Sequence, residues 1–278
     1  MGSLIKIELY KIFKRNRSYI SFFAVIIIIL IAQAAMLWEG ESMYAFFTQN
    51  LSEAFYMQGN LVNGYLMTYL VLNFLWVHIP LLVVIVTGDL LSGEAHGGTL
   101  RLILSRPVSR SNLVSAKFIA AFIYTIILML IFALFSLGLG LMLFGKGDLI
   151  VIFESINILP TDDIFWRFIA AFAYGTIGMI SIASMSLLLS SFASNSLGPI
   201  LSTMAIIILF TMISSFEFNV FTFIRPLLIT TYLDSWQMLF SYTPNIRFLL
   251  TDGAVLLLHT IVFYLLTLLS FNRKDILT

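Results

Sequence analysis

One polar run can carry chemistry in this 278-residue chain: Gly88-Asp-Leu-Leu-Ser-Gly-Glu-Ala-His-Gly-Gly-Thr-Leu-Arg-Leu-Ile-Leu-Ser-Arg-Pro-Val-Ser-Arg110. Gly93, Gly97 and Gly98 give the backbone freedom to turn. Thr99 stands where it can cap a short helix, Leu100 to Leu104 continue that helix, and Pro107 stops it. Ser109 or Ser111 can then cap the next long helix. This places Glu94 and Arg101 for charge contacts in water. A phosphate-cradling loop of the form G-x-x-x-x-G-K-[ST] needs its lysine to reach the phosphates, and Gly93-Glu-Ala-His-Gly-Gly-Thr-Leu has none. ATP binding by that route is excluded. Three scattered histidines, His78, His96 and His259, lack a carboxylate at ligand spacing and make a poor metal site. The many serines come with no nucleophile elbow or zinc motif. No catalytic, cofactor-binding or metal residue is therefore assigned to this chain.

The elements that hold this run are fixed by composition. The chain is 60% apolar and 10% charged, with a mean hydropathy of +1.02, whereas a soluble domain carries roughly 25% charged residues. Its apolar residues fall into blocks of about 20, the length a helix needs to cross a bilayer. Six spans are expected, near 19–37, 65–86, 118–144, 168–189, 197–216 and 254–271. All must be helical to satisfy their backbone in lipid, so the fold class is all-α, one polytopic transmembrane domain over residues 1–278. A net charge of +1 suggests no nucleic-acid partner, and cysteine is absent.

Lysine and arginine set the orientation, because cytoplasmic segments hold their excess. Of the 15, 11 fall before span one, between spans two and three, or after span six. Both termini are therefore expected in the cytoplasm, with the polar run on the same side. Only Lys146, Arg167, Arg225 and Arg247 fall on the other side, together with most of the acids. Ala32-Gln33-Ala34 imitates a signal cleavage site, but nineteen uncharged residues exceed the ordinary signal core of roughly 7 to 15, and a retained helix is expected. Ahead of it, Ile5, Leu9, Ile12 and Phe13 line one face of an interfacial helix while Lys6, Lys11 and Lys14 point elsewhere.

Other polar positions have plainer readings. Pro80 is a kink, and His78 and His259 are assigned to packing or interfacial placement. Asn60, Asn63 and Asn73 either line a path or satisfy backbone. The small-residue face of span four, from Ala171 to Ser191, is read as intramolecular packing. Asn195 to Pro199 makes a short turn between antiparallel neighbours. Residues 217–253 are too broken to span, and Phe218, Phe221, Phe223, Tyr232, Trp236, Phe240 and Tyr242 suit the headgroup zone. A re-entrant or interfacial pair of short helices is expected there, with an acidic outer connection at Gly145 to Asp163.

The run from Glu94 through Gly98, Thr99, Leu100 and Arg101, followed by Leu104, Ser105, Pro107 and Arg110, resembles the E-x-x-x-G-T-L, L-S-x-P-x-S-R signature of permease subunits of type-2 ABC exporters. The layout agrees over nearly the whole chain, although only about twenty residues are specific. Among bacterial members it is similar to stand-alone permeases that pair with a separate ATPase. The resemblance implies that Glu94 to Arg110 forms a coupling helix seated in a cleft of an ABC ATPase subunit. It also implies a working unit of two ATPases with a second permease chain, identical or related. ATP and Mg would sit on the ATPase, spans two and five would line the pathway, and a substrate would move outward across the inner membrane. Two other classes compete. A secondary transporter would show internal repeats and broken helices at mid-membrane, and no convincing repeat is found. An intramembrane enzyme would need a nucleophile with its base.

Overall fold

The computed structural model of the chain describes residues 1–52, 62–105, 107–153, 155–216 and 223–274. Lipid offers no partner to a bare peptide group, so the apolar blocks close their hydrogen bonds within helices. Among the described residues, six helices are long and apolar enough to cross a membrane. In chain order the helices are α1 (Gly2–Lys14), α2 (Asn16–Ser52), α3 (Gly64–Trp76), α4 (Ile79–Thr87), α5 (Asp89–His96), α6 (Thr99–Leu104), α7 (Arg110–Ala133), α8 (Leu139–Phe144), α9 (Thr161–Phe192), α10 (Leu197–Ser215), α11 (Thr230–Leu233) and α12 (Ile246–Arg273). The fold is an all-α polytopic membrane protein.

The helices overrun the apolar blocks, and polar side chains ahead of them set where they start. Asp148 Oδ1 accepts the Thr161 backbone N–H at 2.8 Å and its hydroxyl at 2.7 Å, which starts α9 seven residues before the apolar block. The Asn245 side chain accepts the Phe248 N–H at 3.1 Å and starts α12 early in the same way. The block 65–86 departs most from expectation. It is not one helix: α3 ends at Trp76, and α4 begins at Ile79 with Pro80 in its first turn. Proline fits a first turn but cannot continue a helix from behind. The expected kink is a break at Val77 and His78.

Burial separates a core from a shell. In α9, 67% of the apolar stretch is buried, and in Ile79–His96 72%, against 22% in each of α2, α10 and α12. Helices α4, α5 and α9 are thus the centre that the others surround. The serines of α9 serve this packing, as when the Ser181 hydroxyl donates to the Leu256 carbonyl of α12 at 3.1 Å. Asn195 Oδ1 accepts the Gly198 N–H at 2.6 Å and closes the short turn into α10.

Between α7 and α8 the third crossing widens into a π-helical turn at Leu134–Gly138. There the Ser136 carbonyl accepts from Gln33 Nε2 of α2 at 2.9 Å and from the Thr68 hydroxyl of α3 at 3.2 Å. Gln33, inside the signal-like triplet, is buried in mid-helix. Just beyond, α8 meets α3 backbone to backbone: a Cβ on Gly64 would lie 2.5 Å from the Gly140 carbonyl oxygen.

At this end of the bundle the connection after α8 is not a plain loop. It forms a two-stranded antiparallel hairpin, β1 (Leu149–Phe153) with β2 (Ser155–Leu159), in which Leu149 pairs with Leu159 and Val151 with Asn157. Leu149, Val151, Asn157 and Leu159 are buried while Ile156 and Ile158 are exposed, the alternation a half-covered ribbon requires. Asn63 caps α3 by accepting from Tyr65 and Leu66 at 3.0 and 3.1 Å, and donates to the Asp148 carbonyl at 2.7 Å. Asn60 lies outside the described residues.

The segment before α12 packs between helices rather than resting on a surface. It holds 3-10 turns at Arg225–Leu227 and Asp234–Phe240 on either side of α11. The Tyr174 hydroxyl donates to the Tyr232 carbonyl at 2.7 Å, and His259 Nε2 lies 3.1 Å from the Leu227 carbonyl. Both partners sit about 20 Å along their helices at 1.5 Å per residue, so the segment reaches past the first turns of α9 and α12 and packs against them. Trp236 and Phe240, expected at headgroups, are instead fully buried. Phe223 and Tyr242 are exposed, and Phe218 and Phe221 lie outside the described residues. Asn73 accepts from Gln237 at 3.1 Å, and His78 stacks near Phe74 with Nδ1 2.9 Å from its carbonyl.

Candidate functional site

The polar run folds as α5, a glycine turn, and the short helix α6 before α7 begins. Helix α5 ends at His96, and Gly98 follows with φ of +69°, a left-handed conformation that favours glycine. The Thr99 hydroxyl donates back to the Glu94 carbonyl at 3.3 Å, so it secures the end of α5 instead of capping α6. Within α6, Leu100 is buried while Leu102 is 69% exposed. Arg101 and Leu104 lie on α6, and their side chains are outside the described set. Ser105 closes the helix by donating to the Leu102 carbonyl at 2.9 Å, and Pro107 is exposed in the link to α7. Ser109 caps α7 by accepting the Asn112 N–H at 3.2 Å. Arg106 lies outside the described residues.

Glu94 does not face water. Its side chain is 4% exposed, because it closes a ring of four charges from α1, α5 and α7. Lys11 Nζ lies 2.6 Å from Glu8 Oε1 and 2.7 Å from Glu94 Oε1; Lys117 Nζ lies 2.8 Å from Glu8 Oε2 and 2.8 Å from Glu94 Oε2. Lys117 is 1% exposed and Glu8 2%. Two anions and two cations alternate, so the ring is neutral and each carboxylate oxygen meets an ammonium. Such an arrangement offsets the desolvation that buried charges incur. Burial would lower the pKa of Lys11, but hydrogen bonds and attraction from Glu8 and Glu94 prevail and raise it above its ordinary value.

A second set of contacts ties the start of α5. Arg15 donates to Asp89 Oδ2, and Arg17 lies 3.3 Å from the same oxygen. From α9, the Ser190 hydroxyl donates to the Gly88 carbonyl at 2.6 Å and accepts from the Ser92 N–H at 2.9 Å, satisfying a free donor of the first turn of α5. Arg110 is committed as well: its Nη1 donates to the Phe271, Asn272 and Lys274 carbonyls at 3.3, 3.0 and 2.8 Å, capping α12. Helix α6 is thus held at both ends by elements anchored to crossing helices.

From the sequence, Glu94 to Arg110 fall together with Asp89 in one run and Lys11 and Lys117 fall on its side of the membrane, but the pairing of Glu8, Lys11 and Lys117 with Glu94, of Arg15 and Arg17 with Asp89, and the contact from Ser190 were missed. One signal was available. Glu8 is the lone acid among the first 38 residues and falls on the stripe of Ile5 and Ile12, and Lys117 sits inside an apolar run beside Ala116 and Phe118. A charge on an apolar stripe calls for a buried partner of opposite sign. Among the described residues, no group of three or more His, Asp or Glu side chains could hold a metal ion.

Residues 4–211 match the family described as ABC-2 family transporter protein, a stretch that contains all but the first two residues of α1 and the whole of the polar run. The chain is also similar to the uncharacterized protein YhcI of Bacillus subtilis (strain 168), with 23% identity over 207 residues, 70% of this chain and 64% of that protein. The match therefore spans less than two thirds of that curated relative.

Proposed function

Because the chain belongs to the ABC-2 transporter family, we propose that it is the membrane-spanning permease subunit of an ABC exporter. It pairs with a separate ABC ATPase, which holds ATP and Mg, and with a second permease chain. The chain itself carries out no catalysis. Positive-inside bias places the basic end, with α1, α6 and both termini, in the cytoplasm and the hairpin in the outer space of the inner membrane.

The observation that carries this reading is the placement of α6. A short helix acts as a lever only if its ends are tied to parts that move the membrane domain, and α6 is joined to α5 on one side and α7 on the other. Its Leu102 projects outward, available to a cleft on the ATPase. Glu94, Gly98, Thr99, Ser105, Pro107 and Arg110 then act as positioning residues around α6. Leu100, Arg101 and Leu104 complete the helix.

The test is co-purification of the tagged full chain from its native membrane. An ABC ATPase subunit is expected to accompany it. Leu102→Asp should lower that recovery by about tenfold or more, the equivalent of losing one buried leucine contact of roughly 1.5–3 kcal/mol. Undiminished recovery in Leu102→Asp would remove α6 from the contact. Recovery of the chain with no ATPase, together with transport insensitive to ATP depletion, would sink the proposal and favour a secondary transporter.

A further inference from the structure

At the basic end a groove of about 750 Å³ opens between the last turns of α9 and α12. Phe192 and Leu266 form its apolar walls, Ser191 and Ser270 its polar floor, and Arg273 and Lys274 its rim. The walls face outward, with Phe192 and Leu266 both exposed on helices long and apolar enough to span a membrane. The rim lies where those two helices end, the depth at which a bilayer changes from hydrocarbon to headgroups.

Charge distinguishes this corner from the salt-bridged part of the basic end; Lys6, Lys14 and Arg110 also meet no carboxylate among the described residues, but none of them lines the groove. Lys11, Arg15, Arg17 and Lys117 are all paired with Glu8, Asp89 or Glu94. Among the described residues, Arg273 and Lys274 pair with no carboxylate. Lys274 instead donates to the Ser191 and Ala193 carbonyls at 2.9 and 3.3 Å, which fixes its ammonium at the mouth of the groove. Arg110 occupies the last carbonyls of α12 and so offsets the partial negative charge that a helix C-terminus would present to an arriving anion. Cations that meet no carboxylate among the described residues, set above an apolar trough, match a molecule with an anionic head and a hydrocarbon tail.

We propose that this groove binds an anionic phospholipid, with its phosphate held by Arg273, Lys274 and the Ser270 hydroxyl and an acyl chain lying along Phe192 and Leu266. The site rests on the geometry of α9 and α12 and does not depend on the transporter reading.

The test is native mass spectrometry of the delipidated full chain, titrated with phosphatidylglycerol or phosphatidylcholine. Phosphatidylglycerol should be retained about tenfold or more tightly, given roughly a fivefold gain for each basic side chain near an anionic headgroup. Arg273→Gln should reduce that preference by about fivefold, Arg273→Lys should preserve it, and Ser270→Phe should expel both lipids by filling the groove. Lys14→Gln, on the exposed face of α1, should change nothing. Equal retention of the two lipids, or equal loss in Lys14→Gln and Arg273→Gln, would overturn the site. Displacement of the lipid by inorganic phosphate at equal concentration would reassign it to a free anion. Lipid retention unchanged in Arg273→Gln, with recovery of a protein partner lost, would reassign the groove to that partner.

Discussion

At the basic end, side-chain charges from α1, α5 and α7 close on one another; at the hairpin end, charged and polar side chains hold backbone. Lys11 and Lys117 meet Glu8 and Glu94 in a ring whose members come from widely separated parts of the chain. Arg167, by contrast, sends Nη1 to the Leu239 and Ser241 carbonyls, both at 2.6 Å, and its Nε to Asp163 at 2.9 Å. Around it Trp76, Trp236, Phe240 and Phe168 pack ring against ring, with centroids 4.8 to 6.0 Å apart along the chain of contacts. Long charged arms can follow a helix that shifts against its neighbours while staying paired. Interlocked rings and capped carbonyls cannot. The contrast is between α1, joined to α5 and α7 through paired charges, and the segment before α12, joined to α9 through interlocked rings and capped carbonyls.

The sharpest way to break this contrast is Lys117→Met. It leaves two buried carboxylates facing one cation, and losing one partner of such a set costs about 3–5 kcal/mol. Thermal unfolding of the purified chain should show that loss, and adding Glu94→Gln should restore much of it. A Lys117→Met protein as stable as the parent would show that the ring does not hold α1 in place. A smaller effect is expected from Arg167→Met, which strands the Leu239 and Ser241 carbonyls at about 1–3 kcal/mol. Hydrogen exchange should quicken over residues 234–242 while α1 stays protected. Quickening at both ends would mean that the two are mechanically one. The smallest effect concerns pH. The folded pKa of Lys11 is raised above its unfolded value of 10.5, so its contribution is full below that value and is lost only as pH rises through the higher folded one. Protection of α1, measured as exchange relative to the intrinsic rate at each pH, should therefore be flat across the neutral range. Loosening there that disappears in Lys11→Met would contradict the ring.

What could be read from the sequence follows from what a run of residues can report. An apolar block reports removal from water, whether into lipid or into the bundle, so the number of crossings and the fold class were legible, while the second crossing was misplaced: its long apolar stretch is Ile79–His96 rather than one helix over 65–86. A helix boundary reports capping, and the start of α9 is held by Asp148, thirteen residues before the N–H it accepts, whereas the cap of α12, Asn245, adjoins its helix. The hairpin left a trace in the alternation of Ile156 and Ile158 but was masked by an apolar stretch too short to separate strand from helix. Glu94 was found by its motif and misplaced by its chemistry. A carboxylate in a polar loop reads as solvated until its partners are known, and Lys11 and Lys117 lie 83 residues before it and 23 after. The burial of Trp236 and Phe240 was hidden for a related reason, since an aromatic ring is equally at home at a headgroup or against another ring.

The π-helical turn at Leu134–Gly138 works as a phase shifter. Each residue of an α-helix turns the next by roughly 100°, so one extra residue accommodated within a turn rotates everything after it relative to everything before. Residues of α7 present one face to α9 and α1, and after the turn α8 presents Gly140 to Gly64 instead of a bulkier neighbour. A single helix thereby matches two differently oriented surfaces without bending away from either. The oxygen of Ser136, shared by Gln33 and Thr68, marks where the rotation is pinned to the rest of the bundle.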